Sequence, residues 1–290
     1  MFTPQKVLHL KDELAKKNPK LLGEYMITTK KDGWYVVIPF SLEKGWQSPL
    51  SSAVREIPSL HWTTSILNKL DRPKYDCFLI TEAIVPELSF PEINGLLNRS
   101  KGNCDCLDVQ FWLHDIIIPS QPAMTALQRW NILQQLDIRP VSKNFAKLPL
   151  LEVSEYHPQL WGRRFSEQIA IGEEGVIYKQ ANGIYFPGKR NSSLLKEKLE
   201  CEVDALAVRL VEGVGEKGND SLTLVSRRAN GTEILTVISK HRDKELFRSS
   251  PESILGKVVT IKAMEEYEDG QLRQPVYRWI RHDKQPHEID

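Results

Sequence analysis

Beyond Glu200 the chain strings together five β-forming runs: DALAVRLVE (204–212), SLTLVSRRA (221–229), EILTVIS (233–239), KVVTIKAME (257–265) and VYRWIRH (276–282). Turn-rich stretches separate them, among them GVGEKGND (213–220), ANGT (229–232) and EDGQ (268–271). Short strands at this spacing read as a small β-barrel rather than as a sheet crossed by helices. The character ahead of that point is different, so a boundary near Glu200 is expected, with one domain over 1–199 and a second over 200–290.

Strand runs in the first part are EYMITT (24–29), WYVVIPF (34–40), CFLITEAIV (77–85), VQFWLHDIII (109–118), GVIYKQ (175–180) and GIYFP (183–187), rich in β-branched and aromatic residues. Helices are expected over 4–17, with Val7, Leu10 and Leu14 on one face and a stop at Asn18-Pro19, and over PSLHWTTSILNKLD (58–71). The clearest helix is PAMTALQRWNILQQLDI (122–138), whose face is Met124, Leu127, Trp130, Leu133 and Leu136. The expected class is α+β, with an antiparallel sheet in the first domain. Asp32-Gly33, between two strand runs, predicts a hairpin tip.

The composition excludes several classes. With 41% apolar residues the chain is an ordinary globular one. No apolar run approaches the ~18 residues of a membrane span and the N-terminus has no signal-peptide core, so a cytoplasmic protein is expected. Cys77, Cys104, Cys106 and Cys201 have no framework spacing and read as reduced thiols. Net charge is +1, from 25 basic against 21 acidic residues up to Leu199 and 14 against 17 beyond it, so any nucleic-acid site must be a focused patch. Gly213-x-Gly215-x-x-Gly218 resembles a dinucleotide fingerprint, but a strand run follows where a helix is required.

Six short motifs remain. Lys30-Lys31-Asp32-Gly33 fits K-x-D-G. Glu82 sits in FLITEA (78–83), His114 in FWLHD (111–115), and Glu174 and Lys179 in EGVIYK (174–179). Lys196-Glu197-Lys198 is a K-x-K pair six residues after Arg190, and Arg281-His282-Asp283-Lys284 is R-x-D-K. Each is weak alone, but their order across residues 30 to 286 resembles the ATP-dependent DNA ligases of the compact phage type. That resemblance implies an antiparallel-sheet (ATP-grasp-like) nucleotidyltransferase domain followed by an OB-fold barrel. It implies ATP as AMP donor, Mg²⁺ as metal, nicked duplex DNA as substrate, and a monomer, cytoplasmic in a bacterial host if phage-encoded.

The resemblance also assigns roles. Lys30 would be the nucleophile, with Glu82, Glu174, Lys196 and Lys198 completing the catalytic set. The nucleotide would be bound by Thr28, Lys30, Glu82, His114, Arg190, Lys196 and Lys198, and by Arg281, Asp283 and Lys284 from the terminal barrel about a hinge near 199–203. Glu174 and Glu82 would hold the metal, and Arg55, Lys179 and Arg190 would meet DNA. An amine attacks phosphorus only when neutral, which at an unperturbed lysine pKa of ~10.4 is roughly one molecule in 2,500 at pH 7. Positive neighbours, Lys31, Lys196, Lys198 and the metal, are therefore expected to favour the neutral form. His114 stands where the family has an aromatic and would add a group titrating near pH ~6.5. Tyr35 and Ser52 stand where the family has arginines, which puts nick sensing in question. The alternatives are an RNA ligase, a capping-type guanylyltransferase, or a catalytically silent nucleic-acid-binding relative.

Overall fold

The structure, a computed structural model, describes residues 2–69, 72–88, 90–97, 108–136, 144–213, 221–267 and 269–289. Cys104, Cys106 and most of the Gly213–Gly218 run lie outside the described residues. The chain divides into two compact units, Met1–Lys198 and Leu199–Asp290. No helix among the described residues is long and apolar enough to cross a membrane.

Strands of the first unit are β1 (Lys6–His9), β2 (Tyr25–Lys30), β3 (Trp34–Ser41), β4 (Gly45–Trp46), β5 (Leu50–Ser51), β6 (Cys77–Ile84), β7 (Gln110–Ile117), β8 (Phe145–Lys147), β9 (Leu150–Ser154), β10 (Gly175–Gln180) and β11 (Arg190–Lys198). Its helices are α1 (Leu10–Leu14), α2 (Trp62–Leu67), α3 (Phe90–Leu97), α4 (Ala126–Gln135) and α5 (Pro158–Ala170). Sheet A has the order β1-β11-β10-β2-β9, and sheet B the order β4-β3-β6-β7-β8 with β5 also on β3.

Three expectations are corrected here. The sheets are mixed rather than antiparallel, because β1 runs parallel to β11 and β8 parallel to β7. In the second case α4 supplies the crossover that a parallel pair needs. Asp32-Gly33 is not a hairpin tip: β2 belongs to sheet A and pairs with β10 and β9, whereas β3 belongs to sheet B and pairs with β6. Residues Tyr25–Thr29 and Val36–Phe40 are buried throughout, so each run is a central strand that needs partners on both edges, which the other could not supply. The segment over 4–17 opens as an edge strand, and only Leu10–Leu14 is α-helical.

Strand alternation then sorts the side chains. In sheet A, Tyr25, Ile27, Val176, Tyr178 and Leu195 pack with Trp161 of α5, whose ring stacks on Tyr178 at 4.0 Å. The intervening Thr28, Lys30, Ile177, Lys179, Leu194 and Lys196 face the other way. In sheet B, Val36, Ile38, Leu79, Phe111 and Leu113 form a second core with Leu60, Leu67 and Leu133, while Tyr35, Ile80, Glu82, Trp112 and His114 face the other way. Both outward sets line one cleft.

The second unit is a five-stranded antiparallel sheet. Its strands are β12 (Cys201–Glu212), β13 (Leu222–Arg227), β14 (Glu233–Val237), β15 (Val258–Ala263) and, after a two-residue ribbon of β16 (Glu265–Glu266) and β17 (Leu272–Arg273), β18 (Val276–Ile280), in the order β14-β13-β12-β15-β18. Helix α6 (His241–Ser249) inserts Phe247 into a core with Ala205, Leu224, Ile234 and Ile261.

Gly175, at the start of β10, pairs with both Lys30 and Lys198. It has φ 152°, and a Cβ there would lie 2.1 Å from the Glu197 carbonyl oxygen. Gly175→Ala is therefore expected to cost about 2–4 kcal/mol through a backbone clash, read as a lower urea midpoint at unchanged slope.

Candidate active site

Residues Lys31–Gly33 carry the chain from sheet A to sheet B, which leaves Lys30 at the end of β2 and at the mouth of the cleft. The crossing is tight. A Cβ on Gly33 would sit 2.5 Å from the Ala83 carbonyl oxygen and 3.0 Å from Glu82 Cγ. The Gly33 N–H, close by, favours the ionised form of the Glu82 carboxyl. Burial pushes that carboxyl up to about 7, with Glu174 and Asp32 adding to the rise and Lys30 opposing it.

Lys30 is ion-paired with Glu174, and Lys198 Nζ lies 3.6 Å from the same carboxylate. Lys196 and Lys198 share one face of β11, as alternation predicts, and Lys196 lines the cleft opposite Ile177. Thr28 is buried against the same wall, also beside Ile177. Lys31, expected as a crowding charge, is instead ion-paired with Glu173 and lies over the Trp112 ring at 4.4 Å. Its charge is largely balanced by its own partner.

The inner end has different chemistry. A register shift between Ile80 and Thr81, opposite His114, lets both His114 and Asp115 reach the cleft. Burial pushes the His114 imidazole down to about 3, assisted by Lys179 and Lys30 and opposed by Asp115. His114 is thus a neutral ring near pH 7, not the group titrating near 6.5 that its exposed chemistry would suggest. Its ring lies 6.1 Å from that of Tyr35.

Asp115 accepts from Arg129 Nε at 2.8 Å, Arg129 Nη2 at 3.1 Å and Lys179 Nζ at 2.7 Å. Burial alone would raise its carboxyl, but Lys179 and Arg129 outweigh burial and hold it below the ordinary range. Lys179 also donates to the His114 carbonyl oxygen at 3.0 Å, so the lysine assigned to DNA is an inward, ion-paired residue of the cleft. It shares the parity of Ile177 on β10, and that parity points inward.

Other expected residues are not gathered here. Arg190 is exposed at the first position of β11, beside Lys6, about 25 Å of strand from Lys198. Arg55 and Ser52 are exposed on the turn after β5. Arg281, Asp283 and Lys284 belong to the second unit. There Asp204 accepts from Arg281 Nη1, Lys284 Nζ and Thr260 Oγ1, each at 2.8 Å, and Asp283 takes the remaining edge of Arg281.

Sequence reasoning missed Arg129, Asp115 and Tyr185 as cleft residues. For Arg129 a signal existed. It falls at the helical spacing of Ala126 and Leu133, on the buried side of α4, where a capping box of Thr125 and Gln128 sets the first turn.

No family model matches the chain. Among curated proteins it is 25% identical over 213 residues to a DNA ligase of Methanosphaera stadtmanae, covering 63% of this chain and 38% of that one. It is 30% identical over 152 residues to a DNA ligase of Methanothermobacter thermautotrophicus, covering 43% and 27%. It is 28% identical over 290 residues to the multifunctional non-homologous end joining protein LigD of Mycolicibacterium smegmatis, covering 90% and 36%. The chain thus spans well under half the length of these relatives. Among solved structures, a Lig E DNA ligase superposes with TM-score 0.71 at 16% identity, over 97% of this chain and 100% of that one. The ATP-dependent DNA ligase of bacteriophage T7, in complex with ATP, gives 0.53 at 20%, over 96% and 98%. The chain has the fold of the ATP-dependent DNA ligases.

The ligase resemblance implies Mg²⁺, and the donor set fits it. Glu174 Oε1 is buried and accepts no hydrogen bond, with Lys198 Nζ 3.6 Å away. A carboxylate oxygen of this kind suits a hard cation that keeps most of its waters and takes its other ligands from phosphates.

The Asp115 triad supports a pH prediction. A depressed carboxyl contributes stability that is fully present above its unfolded value of ~3.9 and is lost as pH falls through the folded value. Wild type should lose stability progressively below about pH 4. Asp115→Asn, which leaves two buried cations undercompensated, should cost about 3–5 kcal/mol at pH 7 and flatten that acid limb. Urea midpoints between pH 2 and 7 measure both.

Proposed function

We propose that the chain is an ATP-dependent DNA ligase that seals 5′-phosphate/3′-hydroxyl nicks in duplex DNA through a lysine–AMP adduct and adenylylated DNA. The observation that carries this reading is the placement of Lys30 at the mouth of the two-sheet cleft, against Glu174 and beside Lys198, in a chain with the ligase fold.

In this reading Lys30 Nζ attacks the α-phosphorus of ATP. The N–P bond forms as the bond to pyrophosphate breaks. The AMP then passes to the 5′-phosphate of the nick, and the 3′-hydroxyl displaces it, forming the phosphodiester and releasing AMP. Lys196 and Lys198 offset charge that builds on the α-phosphate. Glu82 orients the ribose, and neutral His114 and Ile177 contact the base, with Thr28 on the same wall. Glu174, with Glu82 as second carboxylate, would hold Mg²⁺, which would supply further neutralisation of phosphate charge.

Residues 1–199 are assigned as the adenylation domain and 200–290 as an OB-fold domain. The five-stranded antiparallel sheet and its separate core support that division. Arg281, Asp283 and Lys284 are assigned to phosphate handling, supported by the placement of Arg281 and Lys284 on one half-buried carboxylate, Asp204, with Asp283 on Arg281. Arg55 and Arg190, both exposed, are assigned to the DNA surface, whereas Lys179 is reassigned to the nucleotide cleft.

Incubation with α-labelled ATP and Mg²⁺, without DNA, should label the wild-type chain and leave Lys30→Ala unlabelled. The labelled protein should then seal a nicked duplex, with affinity that falls steeply as salt rises. No label from ATP, a label from GTP, or joining of single-stranded RNA alone would each overturn the reading.

Ribose hydroxyls donate more strongly to an ionised Glu82 carboxylate than to its neutral acid. With that carboxyl raised to about 7 while Lys30 is present, and higher once the opposing Lys30 charge is removed, ATP affinity of the Lys30→Ala chain should increase as pH climbs above 7. Glu82→Gln should remove that slope, as isothermal calorimetry can report.

A further inference from the structure

The N-terminal segment lies outside all six motifs, yet it is stitched to the cleft. Gln5 and Val7 line it, and β1 forms the edge of sheet A parallel to β11. Phe2 is buried, with its ring 4.8 Å from Phe78 and 6.2 Å from Tyr185. Backbone bonds run from Lys6 N–H to the Lys189 carbonyl and from Gly188 N–H to the Pro4 carbonyl.

The Tyr185 hydroxyl is the joint of this arrangement. It accepts the Gln5 N–H at 2.7 Å and donates its own hydrogen to the Thr3 carbonyl at 3.1 Å. A hydroxyl has a single hydrogen, so Tyr185 has no donor left for a ligand. The Gln5 side chain is oriented as firmly. Its Oε1 accepts the Phe186 N–H at 3.1 Å, which sets the amide rotamer, and one Nε2 hydrogen goes to Ser193 Oγ at 3.1 Å. Ser193 passes its hydrogen to Asn191 Oδ1 at 2.6 Å. The second Nε2 hydrogen is left for whatever fills the cleft.

We propose that Phe2–Val7 is a wall of the nucleotide site, in which Gln5, held by Tyr185, donates a hydrogen bond to the base or ribose of the bound nucleotide. This rests on the ligase reading only for the identity of the ligand. The segment contributes to binding rather than to chemistry, because Lys30 ends β2, three strands from β1, and Glu174 precedes β10, two strands from it.

Gln5→Glu keeps the acceptor for Phe186 but removes the donor, and Tyr185→Phe keeps the ring but removes the joint. Each should raise the ATP concentration for half-maximal Lys30 labelling by about three- to tenfold, as expected for one lost hydrogen bond, with the labelling rate at saturation within about twofold of wild type. ATP binding to Lys30→Ala carrying either change, measured by calorimetry, should weaken by the same factor. Unchanged half-saturation and unchanged binding would overturn the proposal, as would a loss of saturated rate that tracks a lowered thermal midpoint. If wild type forms no lysine adduct while Gln5→Glu still weakens ATP binding, the wall stands and the ligase reading falls.

Discussion

The crossing at Lys31–Gly33 is the constraint on which the site depends. Gly33 packs against the backbone of β6 so closely that no side chain fits, with 2.5 Å between a virtual Cβ and the Ala83 carbonyl oxygen. That contact holds the two sheets at one edge, delivers Lys30 to the end of β2, and packs the crossing against Glu82. A looser connection would leave the lysine on a mobile loop and the carboxylate without a fixed neighbour. The ordering cost of positioning both has been met by the packing of two cores, one behind each sheet.

Charge in the cleft is separated into two regions. At the mouth, Lys30, Lys31 and Lys198 are matched by Glu173 and Glu174. At the inner end, Arg129 and Lys179 share Asp115. The rest of the lining includes Ile80, Ile177, Leu194 and Tyr35, with Glu82 and Lys196 among them. A ligand with an anionic end and an apolar, stackable end matches a cleft that offers both kinds of side chain, since an unpaired charge against the apolar part would have nothing to offset its desolvation.

Much of the strand content was legible because a half-buried sheet writes its alternation into the chain. All five strands of the second unit's main sheet, and β2, β3, β6, β7 and β10, coincide with runs of β-branched and aromatic residues. The mixed direction of the sheets was not legible, since periodicity carries no information about which distant strand pairs with which. The hairpin at Asp32-Gly33 failed for the same reason: a turn signal describes four residues, and the partners of β2 and β3 lie elsewhere in the chain. β1 was mistaken for helix because a four-residue edge strand has too few positions to display a period.

By itself the sequence determined which residue types were available and in what order, including the lysine, the two glutamates and the K-x-K pair, because backbone alternation acts locally. Only the tertiary structure decided which of them meet. It turned Lys179 inward onto Asp115, put Arg129 on a buried helix face, neutralised His114 by burial, and left Arg190 far down its strand. The physical reason is that charge state and partnership depend on desolvation and on distances between elements remote in the chain, neither of which a linear spacing contains.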